Sequence, residues 1–212
     1  MKITILCSDE LHPVNAYIQT WIAAHVGQHQ IDLVRSKSEL THGNVLFLIS
    51  CAEIVTLANR QLYSKTLVVH ASDLPHGRGW SPHIWQIIDG APTLTVTLLE
   101  AANKVDSGDI WKKIELSVNK DALWDEINQL VFDAELKLMN FAVENFDTIK
   151  PQKQSTAIEP TYYPKRSPTD SKIDPTKSIQ DQFDKIRVCD PDRFPAYFEL
   201  HGCKYNLKLE KA

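Results

Sequence analysis

Two stretches of the 212-residue chain carry side chains able to move protons. The first, Val68-Val-His-Ala-Ser-Asp-Leu-Pro-His-Gly-Arg-Gly-Trp-Ser-Pro82, sets His70 at the end of a β-branched apolar run, ahead of a loop with Pro75, Gly77 and Gly79. Imidazole titrates near neutral pH, so a histidine there can act as general base or acid, or be a loop residue without a chemical role. Open α/β sheets bind their ligands beyond the carboxyl ends of their strands, where this residue falls. The second stretch, Val105-Asp-Ser-Gly-Asp-Ile-Trp111, follows another strand and offers Asp106 and Asp109. Taken alone, Asp-Ser-Gly is a turn sequence as readily as a catalytic one.

The elements that must position these groups alternate. Strands are expected at Ile3–Cys7, Ile31–Val34, Val45–Ile49, Thr66–Val69 and Thr93–Leu99, with helical spacing over Asn15–Val26, Val55–Leu62 and Ser81–Asp89. Ser81 is placed to cap the last of these, with Pro82 in its first turn. Strands apolar on both faces and interleaved with helices indicate a parallel sheet covered on both sides. A long helix over Asp121–Asn145 shows one buried face through Leu123, Ile127, Leu130, Ala134, Leu138 and Phe141. Composition changes at Lys150: five prolines (Pro151, Pro160, Pro164, Pro168, Pro175) punctuate a polar stretch up to Ser178, which reads as an extended connector. A short helix over Ile179–Ile186 and a hairpin over Ala196–Leu209, turning at His201-Gly202, complete the chain. The expected architecture is α/β, a Rossmann-like domain over residues 1–150 with a small C-terminal lobe over 151–212.

Composition narrows the function. Charged residues make up 24% and hydrophobic residues 43% of the chain, ordinary values for a packed domain. A net charge of −4 lacks the basic excess of a nucleic-acid binder, so no nucleic-acid partner is expected. No apolar run reaches the ~20 residues that span a bilayer, and the first residues read as a strand rather than a leader, so neither a membrane partner nor export is expected. Cys7, Cys51, Cys189 and Cys203 are scattered without a C-x-x-C pair, which fits a reducing cytoplasm and no zinc site. Cys7-Ser-Asp-Glu-Leu11 puts acidic residues where a dinucleotide loop needs glycines. Walker A, G-x-S-x-G and H-E-x-x-H motifs are absent.

Together the two stretches resemble one family. The His70 loop is similar to the H-P-S-L-L-P-x-x-R-G-x-x-P loop of folate-dependent formyltransferases, and Val105-Asp-Ser-Gly-Asp-Ile110 to their L-D-T-G-D-I loop. Between them, Asp-Gly-Ala-Pro-Thr-Leu-Thr-Val-Thr resembles the family's N-G-x-x-x-x-G-V-T. Residues 43–118 carry the resemblance best. Tyr162-Tyr-Pro-Lys-Arg-Ser-Pro-Thr-Asp170 and Ile186–Phe198 look like the C-terminal part of sugar N-formyltransferases, which act on nucleotide-linked amino deoxysugars, including those of pseudaminic-acid type. The methionyl-tRNA enzymes are similar in the core but longer, with a basic C-terminal domain. The glycinamide-ribonucleotide enzymes are similar in length but differ in first loop and tail.

The resemblance implies formyl transfer from 10-formyltetrahydrofolate to an amine, through a tetrahedral oxyanion and a proton relay built from Asn, His and Asp. His70 takes the place of the histidine and Asp106 that of the aspartate. The family asparagine falls on Val68. Losing one oxyanion donor typically costs about 10²–10³ in rate. Ser72, a backbone N–H or a protonated His70 could replace it; otherwise the chain is a non-catalytic homologue that binds folate and sugar nucleotide. A glycinamide-ribonucleotide-type acceptor is the other alternative.

For the folate, the resemblance implies the loop Cys51, Ala52, Glu53, Ile54 and Val55, with Asn103, Val105 and Asp106. For the sugar nucleotide it leaves Arg78, Trp80 and Ser81 beside the histidine loop, and Tyr163, Lys165 and Arg166 in the connector; Lys165-Arg166 reads equally as a solvated charge pair. His76 and His83, seven residues apart, are expected at the surface or against the sugar, not on a metal, since no third ligand accompanies them. The exposed face of the tail hairpin could pair two chains as a homodimer.

Overall fold

The computed structural model describes residues 1–212. Short apolar runs pair where β-branched residues face both ways, giving β1 (Lys2–Leu6), β2 (Gln30–Val34), β3 (Gly43–Leu48) and β4 (Tyr63–His70). They lie parallel in the order β2-β1-β3-β4. Two antiparallel strands extend that sheet, β6 (Thr93–Glu100) beside β4 and β7 (Ile110–Ser117) at the edge. The mostly parallel sheet is as expected; β7 is a strand that sequence reading missed.

One face of the sheet is covered by α1 (Val14–His25) and α4 (Trp124–Glu144), around a core that includes Ile5, Phe47, Leu67, Val69, Leu98, Ile127 and Leu138. Trp21 Nε1 donates to Asn140 Oδ1 at 2.6 Å, tying the two helices together. The buried stripe of α4 runs through Ile127, Val131, Ala134, Glu135, Leu138 and Ala142, so the expected face is rotated slightly, leaving Leu130 and Phe141 half-buried. Glu135 is the exception in that stripe: burial pushes its carboxyl from 4.5 up to about 8, and Oε2 has no partner.

The opposite face is thinner. Leu6, Leu46, Leu48, Val55 and Tyr63 form its core, with Cys51, Val68 and Ala101 packed at its margin. The short helix α2 (Leu57–Arg60) is capped by Thr56, whose hydroxyl accepts from the Asn59 N–H. A two-residue strand β5 (Arg78–Gly79) precedes α3 (Pro82–Ile88). Ser81 stands at the N-terminus of α3 as expected but does not cap it: its backbone is left-handed, with φ 46°, and its side chain makes no capping bond.

The polar stretch after Lys150 is not a free tether. Gln152 exchanges two backbone hydrogen bonds with Ile110, and β8 (Tyr162–Tyr163) pairs with β5. Helix α5 (Ile179–Arg187) and the antiparallel hairpin β9 (Ala196–Leu200) and β10 (Cys203–Leu207) enclose a small core of Ile173, Ile186, Cys189 and Ala196. His201 and Gly202 at the tip both have positive φ, as a two-residue turn of right-handed twist requires. Val188 belongs to the main core, Arg187 donates to the carbonyls of Asn119 and Ala122, and Arg193 pairs with Asp9, so this segment is docked on the sheet domain.

Candidate active site

His70 ends β4 on the strand face that also carries Val68, because residues two apart share a face. Both His70 and Asp106 are nearly buried, with side-chain exposures of 8% and 7%. His70 Nε2 lies 2.8 Å from the Gly77 carbonyl and 3.6 Å from Asp106 Oδ2. A carbonyl only accepts, so in the neutral ring Nε2 carries the proton and Nδ1, which has no protein partner, holds the lone pair. Asp106 Oδ2 accepts instead from the Gly79 N–H at 2.9 Å. That geometry requires an unusual backbone: Asp106 sits at φ 53°. Two residues on, a Cβ on Gly108 would collide with the Glu100 carbonyl oxygen, so only glycine lets the loop close on β6. The sequence-predicted pair is thus brought together from loops 36 residues apart. Asp109 goes elsewhere; its carbonyl accepts from the Glu100 N–H in the strand ladder.

Around Val68 the face is apolar. Leu48, Cys51, Val55 and Ala101 pack with it, so the loop after β3 and the loop after β6 flank one floor beside His70. Within the first loop, Ala52 N–H donates to Ser8 Oγ at 2.8 Å, the Glu53 carboxylate accepts from the Lys37 N–H at 3.0 Å, and the Ile54 carbonyl accepts from Lys37 Nζ at 3.2 Å. Ile54 and Val105 stand exposed on either side. Asn103 Oδ1 is held by Arg60 at 2.5 Å. Ser72 is 1% exposed, its N–H closes a turn on the His70 carbonyl, its Cβ lies against Gly77, and its Oγ is buried without a hydrogen-bond partner.

Beside the pair lies a face of rings and cations. Lys165 Nζ sits 4.8 Å from the Trp80 ring centroid, Arg166 lies 5.9 Å over Trp85, and Trp85 stacks on Tyr163. Trp80 N–H donates to the Tyr163 carbonyl, and Trp85 Nε1 to that of Pro164. Trp80, Ser81 and Lys165 are exposed, so this face is open to a ligand. Trp85 is a member that sequence reading passed over. Arg78 departs from expectation: it is 7% exposed and its guanidinium is committed to Gln154 and Tyr162, so it braces the loop and does not reach solvent. His76 is exposed, whereas His83 is only partly so, its Nδ1 buried without a partner. Burial, then the charges of His12, His70 and Arg166, pulls its ring down to about 4, so it is neutral at pH 7. No cluster of His, Cys, Asp and Glu could hold a metal, and no helix is long and apolar enough to cross a membrane.

Comparison with known proteins finds similarity to formyltransferases in sequence and in fold. No protein-family model matches the chain. A methionyl-tRNA formyltransferase of Bacillus velezensis is 32% identical over 168 residues, covering 74% of this chain and 51% of that protein. Over most of its length the chain is similar in sequence to methionyl-tRNA formyltransferases. It spans about half the length of the curated relatives it matches. Among solved structures, a methionyl-tRNA formyltransferase from Clostridium thermocellum superposes with a TM-score of 0.81 at 22% identity, covering 96% of this chain and 90% of that one. HypX from Aquifex aeolicus in complex with tetrahydrofolic acid also gives 0.81, at 21% identity, over 96% of this chain and 36% of that one. A sugar N-formyltransferase from Shewanella gives 0.75 at 17% identity, over 100% of this chain and 98% of that one. These likenesses establish a shared α/β formyltransferase fold.

Proposed function

We propose that the chain transfers a formyl group from 10-formyltetrahydrofolate to the amine of a nucleotide-linked amino deoxysugar. The observation that carries the acceptor is the face where exposed Trp80 and Lys165 lie beside half-buried Trp85, Tyr163 and Arg166, joined through Gly79 to the carboxylate of Asp106. Aromatic faces stack on a nucleobase and the cations meet a diphosphate. A net charge of −4 favours this small anionic acceptor over tRNA, whose binding draws on many Lys and Arg contacts.

The apolar floor of Leu48, Cys51, Val55, Val68 and Ala101 suits a flat pterin, with backbone of the 51–55 and 103–106 loops at its edges. When bound, 10-formyltetrahydrofolate supplies the activated formyl carbon. His70, with Nδ1 free, takes the proton of the attacking amine and, once protonated, stabilises negative charge developing on the formyl oxygen. Asp106 keeps a carboxylate 3.6 Å from the ring, and the proton taken from the amine is delivered through water to the departing folate nitrogen as its bond to the formyl carbon breaks. Val68 offers no hydrogen bond, which leaves the cationic histidine as the principal oxyanion stabiliser.

The named relatives favour a second reading, an aminoacyl-tRNA acceptor. One assay separates them: 10-formyltetrahydrofolate with UDP- and dTDP-linked 3-amino and 4-amino deoxysugars, glycinamide ribonucleotide, and methionyl-tRNA. A mass gain of one formyl group on a sugar nucleotide is expected. Formylation of methionyl-tRNA alone would overturn the sugar assignment. Folate and UDP-sugar binding without any product would make the chain a binding homologue.

A further inference from the structure

We propose that Gln154 is a positioning residue for Asp106: its side-chain amide locks the carboxylate loop against the histidine loop. For its effect on turnover this rests on the formyl-transfer reading above. Gln154 Nε2 donates to two carbonyls of one turn, Asp106 O at 2.8 Å and Gly108 O at 3.0 Å. Its Oε1 accepts from Arg78 Nη2 at 2.6 Å. Both ends of the amide are therefore used, one on each loop.

The histidine loop is gripped by the same segment. Gly77, whose carbonyl meets His70, donates its N–H to Thr161 Oγ1 at 2.8 Å, and Arg78 N–H donates to the Thr161 carbonyl at 2.9 Å. Arg78 also lies over the Tyr162 ring and donates to its hydroxyl at 3.1 Å. The next N–H, that of Gly79, is the one that binds the Asp106 carboxylate. Residues 154–162 thus span from the acceptor of one reacting side chain to the backbone of the other. Asp106 is held at positive φ, a conformation that relaxes once nothing gathers the two carbonyls. Gln154 itself touches neither His70 nor the apolar floor, so its action passes through Asp106.

Two variants separate positioning from bulk. Gln154→Ala removes both contacts. Gln154→Glu keeps the length and the acceptor for Arg78 but has no N–H for the two carbonyls. Amide hydrogen exchange at Gly79 reads the carboxylate contact without any substrate, and is expected to rise about tenfold or more in both variants. On the acceptor that the wild-type chain formylates, kcat is expected to fall about 10²-fold in both, as for an ångström-scale misplacement. KM for folate and acceptor should stay within about threefold. The melting temperature should drop for Ala and hold for Glu. If Gln154→Glu keeps wild-type turnover and Gly79 protection, only the Arg78 contact matters and the proposal is wrong. Turnover lost with Gly79 protection intact overturns it equally. If the wild-type chain formylates nothing in the acceptor panel, the functional reading fails, while exchange at Gly79 still decides whether Gln154 sets the Asp106 contact.

Discussion

Replacing Glu135 by Gln should make the protein more stable, and by an amount that grows with pH. The carboxyl lies in the α4 stripe facing the sheet, its pKa raised by burial alone from 4.5 to about 8, with no cation to offset it. Between those values the folded chain holds a proton that the unfolded chain releases. Stability from this group is therefore complete below 4.5 and is lost as pH rises toward 8. Each pH unit within the window costs about 1.4 kcal/mol, so the loss between pH 5 and pH 7 comes to about 2–3 kcal/mol. Glutamine copies the protonated acid in size and does not titrate. Urea unfolding of both proteins at pH 5, 6, 7 and 8 should give curves that nearly meet at pH 5 and diverge to pH 8. At pH 7 the advantage, about 3 kcal/mol, corresponds to roughly 5–12 °C in Tm for a chain of this size. Parallel pH dependences would refute the reasoning, since they would mean that water or rearrangement solvates the carboxylate inside the core.

Turnover of His70→Ala should fall by about 10²–10⁴, the span of general acid–base catalysis, with folate binding retained; wild-type rates would remove His70 from the chemistry. Val68→Asn restores an amide on the strand face of His70, and a tenfold or greater rise in kcat is expected, at the cost of some apolar packing against Leu48 and Val55. An unchanged kcat would show that another group already supplies the donor. Gly108→Ala drives a methyl into the Glu100 carbonyl and should destabilise the chain by about 3 kcal/mol or displace the Asp106 loop, visible as a lowered Tm or as lost turnover; a variant with both intact would contradict the packing.

The parallel half of the sheet was legible because β1, β3 and β4 are apolar on both faces. β7 was not, since Ile110–Ser117 interleaves Lys112, Lys113 and Glu115 with its apolar residues, as an edge strand with one wet face does. The His70 and Asp106 loops stood out by motif, and the structure sets the two side chains 3.6 Å apart. What holds them there was invisible. Gln154 and Thr161 sit in a polar stretch with no period, and their partners are 76 and 84 positions away. The same distance misled on Arg78: an arginine beside a site reads as a ligand contact until the glutamine that claims it is seen. Ser81 followed the usual cap spelling, but its left-handed backbone turns the side chain away from the helix it precedes.

Because Thr161 and Tyr162 complete the loop around His70, the order in which the chain is made has a consequence of its own. The six strands of the main sheet and the helix α4 that covers them exist once Glu144 has left the ribosome, yet β5 must wait for β8. At about 5–20 residues per second, the covered sheet is ready about one to four seconds before its own active groups can be fixed. A nascent or prematurely ended chain can therefore reach a folded sheet and still lack an organised site.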